Sequence, residues 1–515
     1  MAINPTSAPG LYIVELPSNA HAVQAAPKSI AVFVGYTHPY KTRHFKTAVA
    51  INSFTDFERQ FGGLYASGVV DRHLPYAVMD FFLNGGAQSY VVGLEPHYRD
   101  NVNADLGLVK AFPAKATIGN IEFSATELTD MIPMKVTIDN VNSTSDTADI
   151  SITYGPTIET YRAVSINATL PSGKPNPNFI EARLANSSLV TVKHTGANYG
   201  VYTAASGTAF VASLPAGITT TFDAADFAAV FQADTSLDLV DVFNLLLLPG
   251  ISDTTVCSAA LSFAERKLAF VIMDPPVQAA ADDLGGLPTM QDLIDNVPKS
   301  QNGAIYFPYL QTFDPLTASP MDLPPSGFVA GKIAESDQVG PWLAPAGLST
   351  IINGTIGVVA RGRLTDPRLG VLNFKGVNCL RSVPGIGTVI WGARTLVAEN
   401  VAFQQWKYIT VRRMALFIEQ SLKMSLGWAV FQPNDDPLYL ALRNTVSSFM
   451  LSLFNSGAFE GATPSQAFKV VCDRTTTTDD DRTLGICNIL VAFRPLKPAE
   501  FVVIKVAQLA GQATA

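Results

Sequence analysis

Apolar positions in this chain form continuous runs, alternating runs and helical stripes, and the three kinds follow one another in blocks. SIAVFVGYT (29–37) is apolar almost throughout and bounded by Gly35, which predicts a strand buried on both faces. INSFTDFERQFGG (51–63) predicts a helix: Ser53 can cap it, Asp56 falls in its first turn, and Gly62-Gly63 ends it. LPYAVMDFFLNGGAQSYVVGLEP (74–96) predicts a second helix stopped by Gly85-Gly86, then a strand over Ser89–Leu94. From about 97 to 235 helical periodicity fades and Thr, Ser, Asn and Ala dominate. Short alternating stretches such as MKVTIDNV, ADISITY and SLVTVKH predict a mainly β insertion at the surface. Strand–helix alternation returns at LVDVFNLLLLPG, FVIMDPP and GAIYFPYLQ.

The last third is helical at first. In VRRMALFIEQSLKMSLGWAVFQPNDD (411–436), Met414, Ile418, Leu422 and Leu426 form one i, i+4 stripe, and Arg412, Arg413, Gln420 and Lys423 fall opposite it. This predicts an amphipathic helix with a basic outer face, ended at Gly427 and followed by a strand, WAVFQ. A solvated surface accounts for that face as readily as a partner does. Asp436-Pro437 has the form of a cap and first helical residue, so the next helix is expected from Pro437 to about Phe454. Thr463-Pro464-Ser465-Gln466 has the form of a capping box. Two apolar strands, ICNILVAF and EFVVIKVAQL, close the chain.

Composition narrows the partners. Of 515 residues, 48% are hydrophobic and only 15% charged, below the usual quarter, so the chain can bury a large core and much surface against other subunits. The net charge of −8 argues against nucleic-acid binding. The first ten residues lack the basic and apolar regions of a secretory signal. The longest apolar run, LVDVFNLLLLPGI, holds Asp241 and breaks at Pro249-Gly250, too soon to span a membrane. Cys257, Cys379, Cys472 and Cys487 lie far apart with no CxxC pair, which reads as free thiols in a cytoplasmic chain.

Catalytic and cofactor motifs do not survive scrutiny. The six histidines (21, 38, 44, 73, 97, 194) show no metal-ligand spacing. GFVAGKIA (327–334) has three residues between its glycines where a phosphate loop has four, and Ile333 stands where Ser or Thr would hold magnesium. PGIGTVIWG (384–392) lacks the third glycine of a dinucleotide site, and no G-x-S-x-G elbow occurs. DRTTTTDDDR (473–482) lacks the spacing and central glycine of a calcium loop and reads as a solvated hairpin loop. No catalytic, cofactor or metal residue is expected.

The two ends remain. EFVVIKVAQL is apolar on both faces, with Phe501 and Val503 on one and Val502, Ile504 and Val506 on the other; left as an open edge it would template aggregation. It belongs either inside its own sheet or in that of a neighbouring subunit. PGLYIVELP, with Tyr12 and Val14 facing one way and Leu11 and Ile13 the other, sits before a loose linker and raises the same alternatives.

An ordered series of stretches resembles the sheath proteins of contractile phage tails and related bacterial injection systems. It comprises PGLYIVELP, AVFVGYT with INSFTDFERQFGG, LLLLPGI, FVIMDPP, GFVAGKIAESDQVGPWLAPAG, VIWGARTLV, YITVRRMALFIEQSLKMSLGWAVFQPND, GATPSQAFKVVCD and RPLKPAEFVVIKVAQ. It covers about the first 95 and last 280 residues; 97–235 matches nothing. The resemblance implies a mixed α/β, α+β multi-domain chain whose sheath core is assembled from N- and C-terminal segments, with an inserted mainly-β domain and extended arms. The corresponding layout is an arm at 1–25, core at 26–96 and 236–350, insert at 97–235, a tube-facing C-terminal domain at 351–498 and a second arm at 499–515. It implies a non-enzymatic subunit that stacks in rings around an inner tube and contracts, with baseplate and cap proteins, and possible sister sheath proteins, as further partners. It implies assembly in bacterial cytoplasm, with no membrane insertion. Arg412, Arg413, Gln420 and Lys423 become expected tube contacts, with pairing of Arg412 and Arg413 to acids of their own domain as the alternative, since they precede the most apolar turns. Leu11, Tyr12, Ile13, Val14, Phe501, Val502, Val503, Ile504 and Val506 become expected donated strands. A static shell or baseplate component, or a soluble enzyme with a β-rich substrate domain at 97–235, are the alternatives.

Overall fold

The computed structural model describes residues 21–194, 202–276, 297–359 and 364–501. The chain divides into two compact units. One comprises the described residues up to Ala26 with Phe417–Leu496; the other comprises Pro27–Leu416 and the described residues from Lys497.

The larger unit is built on an eight-stranded sheet. Its first elements are β1 (Ala31–Tyr36), β2 (Ala48–Ile51), helices α1 (Phe54–Phe61) and α2 (His73–Leu83), and β3 (Ser89–Leu94). After the insertion come α4 (Ala224–Val230), β14 (Leu245–Leu247), α5 (Thr254–Lys267), β15 (Phe270–Met273), β16 (Gly303–Phe307), a small separate sheet of β17 (Leu310–Asp314), β18 (Ser319–Leu323) and β19 (Gly357–Val358), α6 (Ser326–Ser336), α7 (Asp366–Phe374), β20 (Val377–Val383) and β21 (Gly387–Ile390). Strand order is β2-β3-β1-β14-β15-β16-β20-β21, parallel throughout except for the two edge strands. Strands covered on both faces must be apolar at every position. Accordingly Ala31, Phe33, Leu245, Leu247, Phe270 and Ile272 face the core under α1, α2 and α6. Val32, Val34, Leu246, Val271 and Met273 face the core under α4 and α5.

Helix starts and stops follow the sequence. Ser53 Oγ accepts from Asp56 N–H at 3.1 Å, and Gly62 closes α1 in the left-handed conformation. GFVAGKIA is a helix–helix contact. Gly327 and Gly331 fall on one face of α6, and a Cβ on Gly327 would stand 2.5 Å from the Ala77 carbonyl oxygen of α2.

The insertion holds β4 (His97–Arg99), β5 (Asp105–Leu108), β6 (Ala114–Ile118), β7 (Ile121–Ala125), β8 (Met134–Asn142), β9 (Thr147–Tyr154), β10 (Thr157–Ser165), α3 (Ile180–Arg183), β11 (Val190–His194), β12 (Ala205–Ala209) and β13 (Val211–Ala212). Two four-stranded sheets, β10-β9-β8-β12 and β11-β7-β6-β13, enclose one core around Phe123, Val136, Ile150 and Ile152. Burial alternates along β9, as a strand with one wet face requires.

Glu127, between β7 and β8, ties this insertion to the end of β1. His38 Nε2–H donates to it at 2.9 Å, and Lys41 pairs with its other oxygen. Tyr40 N–H donates to His38 Nδ1, so the imidazole is neutral. Burial holds His38 below its ordinary pKa, against the pull of Glu127. Burial also opposes the Glu127 charge, but His38 and Lys41 outweigh it and keep that carboxyl below its ordinary range. Both groups therefore bind fewer protons folded than unfolded. The stability they add at neutral pH is lost on acidification, first below the ordinary histidine value and then below the ordinary glutamate value. The unfolding midpoint should fall between about pH 7.5 and 5.5, and His38→Gln should flatten that fall; an equal fall in the variant would sink the assignment.

The smaller unit contains the end of α8 (Ile409–Ser425), α9 (Asp436–Asn455), α10 (Pro464–Ala467), α11 (Asp479–Thr483) and a hairpin of β22 (Phe468–Val471) and β23 (Leu490–Phe493). Three local expectations are corrected. WAVFQ is not a strand: Gly427–Ala429 is a single 3-10 turn, because Trp428 and Ala429 pack into a small core with Leu438, Tyr439 and Leu442. The cap of α9 is Asp435, one residue early, accepting from Leu438 N–H at 3.1 Å. Thr463 makes no capping bond; its hydroxyl meets Ser465, and Gln466 Oε1 accepts from Ala462 N–H instead. The DRTTTTDDDR loop does connect the hairpin strands, with a helical turn closed by a Thr478–Asp481 capping box.

Candidate functional site

α8 is the element on which the sequence concentrated its expectations. Its first three turns are buried all round, from Ile409 through Ile418. Arg412, Arg413 and Gln420, expected on an outer face, are 7%, 5% and 4% exposed, so that face is not an outer one. The cause is partners the periodicity does not reveal. Arg412 lies over the Trp406 ring at 4.9 Å and donates from Nε to Asn302 Oδ1 at 2.6 Å. Arg413 grips Asp337 with both terminal nitrogens and donates also to the Lys28 carbonyl at 3.1 Å. Of the four expected residues only Lys423 is exposed.

Beyond Lys423 the surface turns apolar. Met424, Val430 and Phe431 are 53%, 60% and 101% exposed. Phe431 also adopts a positive φ of 66°, uncommon for an aromatic residue and a mark of a constrained turn.

The described residues of the N-terminal segment run along the smaller unit's helices. Ala26 N–H donates to Ser421 Oγ at 2.9 Å and Gln24 N–H to Ser425 Oγ at 3.0 Å. Thr445 Oγ1 donates to the His21 carbonyl, and the His21 ring stacks on Trp428 at 3.9 Å. Ser421 and Ser425, one turn apart on α8, are the sole trace of this seat in the sequence.

The C-terminal segment is seated on the larger unit. Arg394, 4% exposed, clamps Glu500 with Nε and Nη2 at 2.8 and 2.5 Å. Its Nη1 donates to the Asn373 carbonyl, and Tyr408 OH reaches Glu500 at 3.3 Å. Phe501, next in line, is 74% exposed. The other residues expected in donated strands, Leu11, Tyr12, Ile13, Val14, Val502, Val503, Ile504 and Val506, lie outside the described residues.

Sequence and structure comparisons agree on one group of proteins. The profile of the phage tail sheath protein central domain matches residues 223–396, and that of the phage tail sheath C-terminal domain matches 402–508, together just over half of the chain. No curated protein sequence matches. Among solved structures, the anti-feeding prophage helical sheath in its contracted state shares 22% identity, with 98% of this chain and 99% of that chain covered and a TM-score of 0.59. The sheath complex of the PVC extracellular contractile injection system in its contracted state shares 20%, covering 98% of each chain at a TM-score of 0.57. A sheath tail protein from Desulfitobacterium hafniense shares 11%, covering 90% of this chain and 94% of that chain at 0.54.

Proposed function

The chain belongs to the phage tail sheath family and is a contractile sheath subunit, and on that premise we propose that it polymerises as a helical cylinder around an inner tube and shortens to drive that tube through a target envelope. The observation that carries this reading is the seating of the chain's two ends. The segment before His21 departs from the serines of α8, and the segment after Glu500 departs from Arg394. Segments centred on Leu11–Val14 and Phe501–Val506 would then have fixed roots from which to add, as strands, to a neighbour's sheet by backbone hydrogen bonds. The β22–β23 hairpin suits the acceptor role. It is a two-stranded sheet among the described residues, and such a sheet is marginal until it gains further strands.

Tube contact is assigned to the last turn of α8 and the segment after it: Lys423 with Met424, Val430 and Phe431. Lys423→Glu combined with Phe431→Asp should abolish co-purification with a tube protein and leave the unfolding midpoint unchanged. Unimpaired tube binding would return these residues to plain solvated surface.

In this reading the strands β4–β13, within residues 97–235, form the outer domain, with α4 belonging to the large sheet's core, 351–498 the tube-facing region, and 1–25 and 499–515 the arms. The subunit works with a baseplate, a cap and any sister sheath protein, is assembled in the bacterial cytoplasm, and carries out no chemistry. A structure of the anti-feeding prophage baseplate also contains a similar chain, at 22% identity and a TM-score of 0.58, which favours a static baseplate component as the second reading. Negative-stain microscopy of the protein, alone and co-expressed with its tube, separates the two. Striated cylinders are expected; closed rings of one geometry under both conditions would favour the static component.

A further inference from the structure

Fifteen positions separate Cys472 from Cys487 in the sequence, and the hairpin brings them together. Cys472 directly follows β22, and Cys487 lies three residues before β23. The register of the pair, Phe468 opposite Phe493 through Val471 opposite Leu490, sets both at the same end of the ladder. The Cys487 thiol is near enough to Cys472 to help hold its pKa up. Both pack in the small core with Leu438, Tyr439, Leu442 and Ile489. Cys472 is 1% exposed, whereas Cys487 is partly open to solvent.

The intervening loop is already closed on itself. Asn488 N–H donates to Thr477 Oγ1 at 2.9 Å, and the Thr476 hydroxyl donates to the Asn488 carbonyl at 3.2 Å. These bonds hold the two ends of the loop near one another.

We infer that Cys472 and Cys487 form a redox modification site, which a small-molecule disulfide oxidises to an intramolecular bridge closing the loop 473–486. The reaction runs by thiol–disulfide exchange. The Cys487 thiolate, having given its proton to solvent, attacks one sulfur of the small disulfide; the S–S bond breaks and one small thiol leaves with a proton. The Cys472 thiolate then attacks Cys487 Sγ in the mixed disulfide and expels the second small thiol. Two protein thiols are oxidised and one disulfide is reduced to two thiols. Burial pushes the Cys472 thiol up to about 12, so the second attack is the slow step. Cys257 and Cys379, both buried, have no part in it.

The bridge would covalently hold the ends of β22 and β23 in an oxidising medium and release them in a reducing one. The inference stands without the sheath reading, since it concerns one chain in isolation.

The test uses the full reduced chain with oxidised glutathione at mildly alkaline pH, then alkylation and non-reducing tryptic mapping. Trypsin cuts after Lys469, Arg474 and Arg482, which puts the two cysteines in separate peptides. The expected result is a linked pair, Val470–Arg474 with the peptide beginning at Thr483, and loss of two alkylatable thiols per chain. Cys472→Ser should stop at a stable glutathione adduct on Cys487. A wild-type chain that stops at that adduct, that stays unmodified, or that links only after urea unfolding would overturn the proposal.

Discussion

Arg413→Ala is expected to lower the free energy of unfolding by about 3–5 kcal/mol, the range for breaking a buried ion pair from one side. The guanidinium and Asp337 are both enclosed, at 5% and 2% exposure, and the carboxylate is held by two of the arginine's nitrogens. Removing the arginine strands a carboxylate in a site where burial already pushes its pKa up. Asp337 should then take up a proton more readily, so the loss should be smaller at acid pH than at neutral pH. Arg413→Met with Asp337→Leu, which removes both charges and fills the space, should recover most of the loss. Lys423→Ala, on the same helix but exposed, serves as the control and should leave the transition in place. Urea unfolding followed by circular dichroism reads all four proteins. A single-variant loss below about 1 kcal/mol, the scale of an exposed pair, would mean that water reaches Asp337.

The second large effect is loss of polymer. A chain ending at Glu500 is expected to fold with an unchanged midpoint and to form no long cylinders, because it keeps the Arg394–Glu500 clamp and lacks the strand beyond it. A chain ending at Ala499 should fare differently, since Arg394 is then buried without its carboxylate partner. It should lose stability by about 3–5 kcal/mol as well as polymer. Comparing the two cuts separates the arm's role in assembly from its root's role in folding. Negative-stain microscopy and thermal unfolding of both truncations suffice. Cylinders from the chain ending at Glu500 would remove strand donation by the C-terminal arm.

What was legible in the sequence is what local rules control. The run around Val32–Tyr36 announced a doubly covered strand because such a strand has no wet face to encode. Ser53 and Gly62 announced α1 because capping is decided within a few residues. The alternation along 147–154 announced a sheet with one wet face. The outer basic face expected on α8 is absent because a helical wheel treats every arginine as solvated; the alternative, an acid of the same domain, fits Arg413 with Asp337 but not Arg412, which meets Asn302. The partners that make Arg412 and Arg413 interior residues, Asn302 and Asp337, lie 110 and 76 positions away. Ser421 and Ser425 meet partners 395 and 401 positions away, and nothing in a single sequence marks those meetings. The cysteine pair was missed for a related reason. Its spacing is that of a hairpin with an ordered loop, and the hairpin was needed to see it.

The seating of the chain's ends has a mechanical consequence. A pull on the N-terminal segment is taken up by hydrogen bonds from Ser421, Ser425 and Thr445 in the smaller unit before any force passes the peptide link at Ala26-Pro27. A pull on the C-terminal segment arrives at Arg394 in the larger unit. The two ends therefore load different units, and the chain joins those units at three places: after Ala26, within α8 at Leu416–Phe417, and after Leu496. Tension applied between the ends is shared by three covalent strands of backbone in parallel, one of them a helix. The subunit is thus a link whose two hooks are fastened to different units, and a pull on both must cross the covalent connections between them.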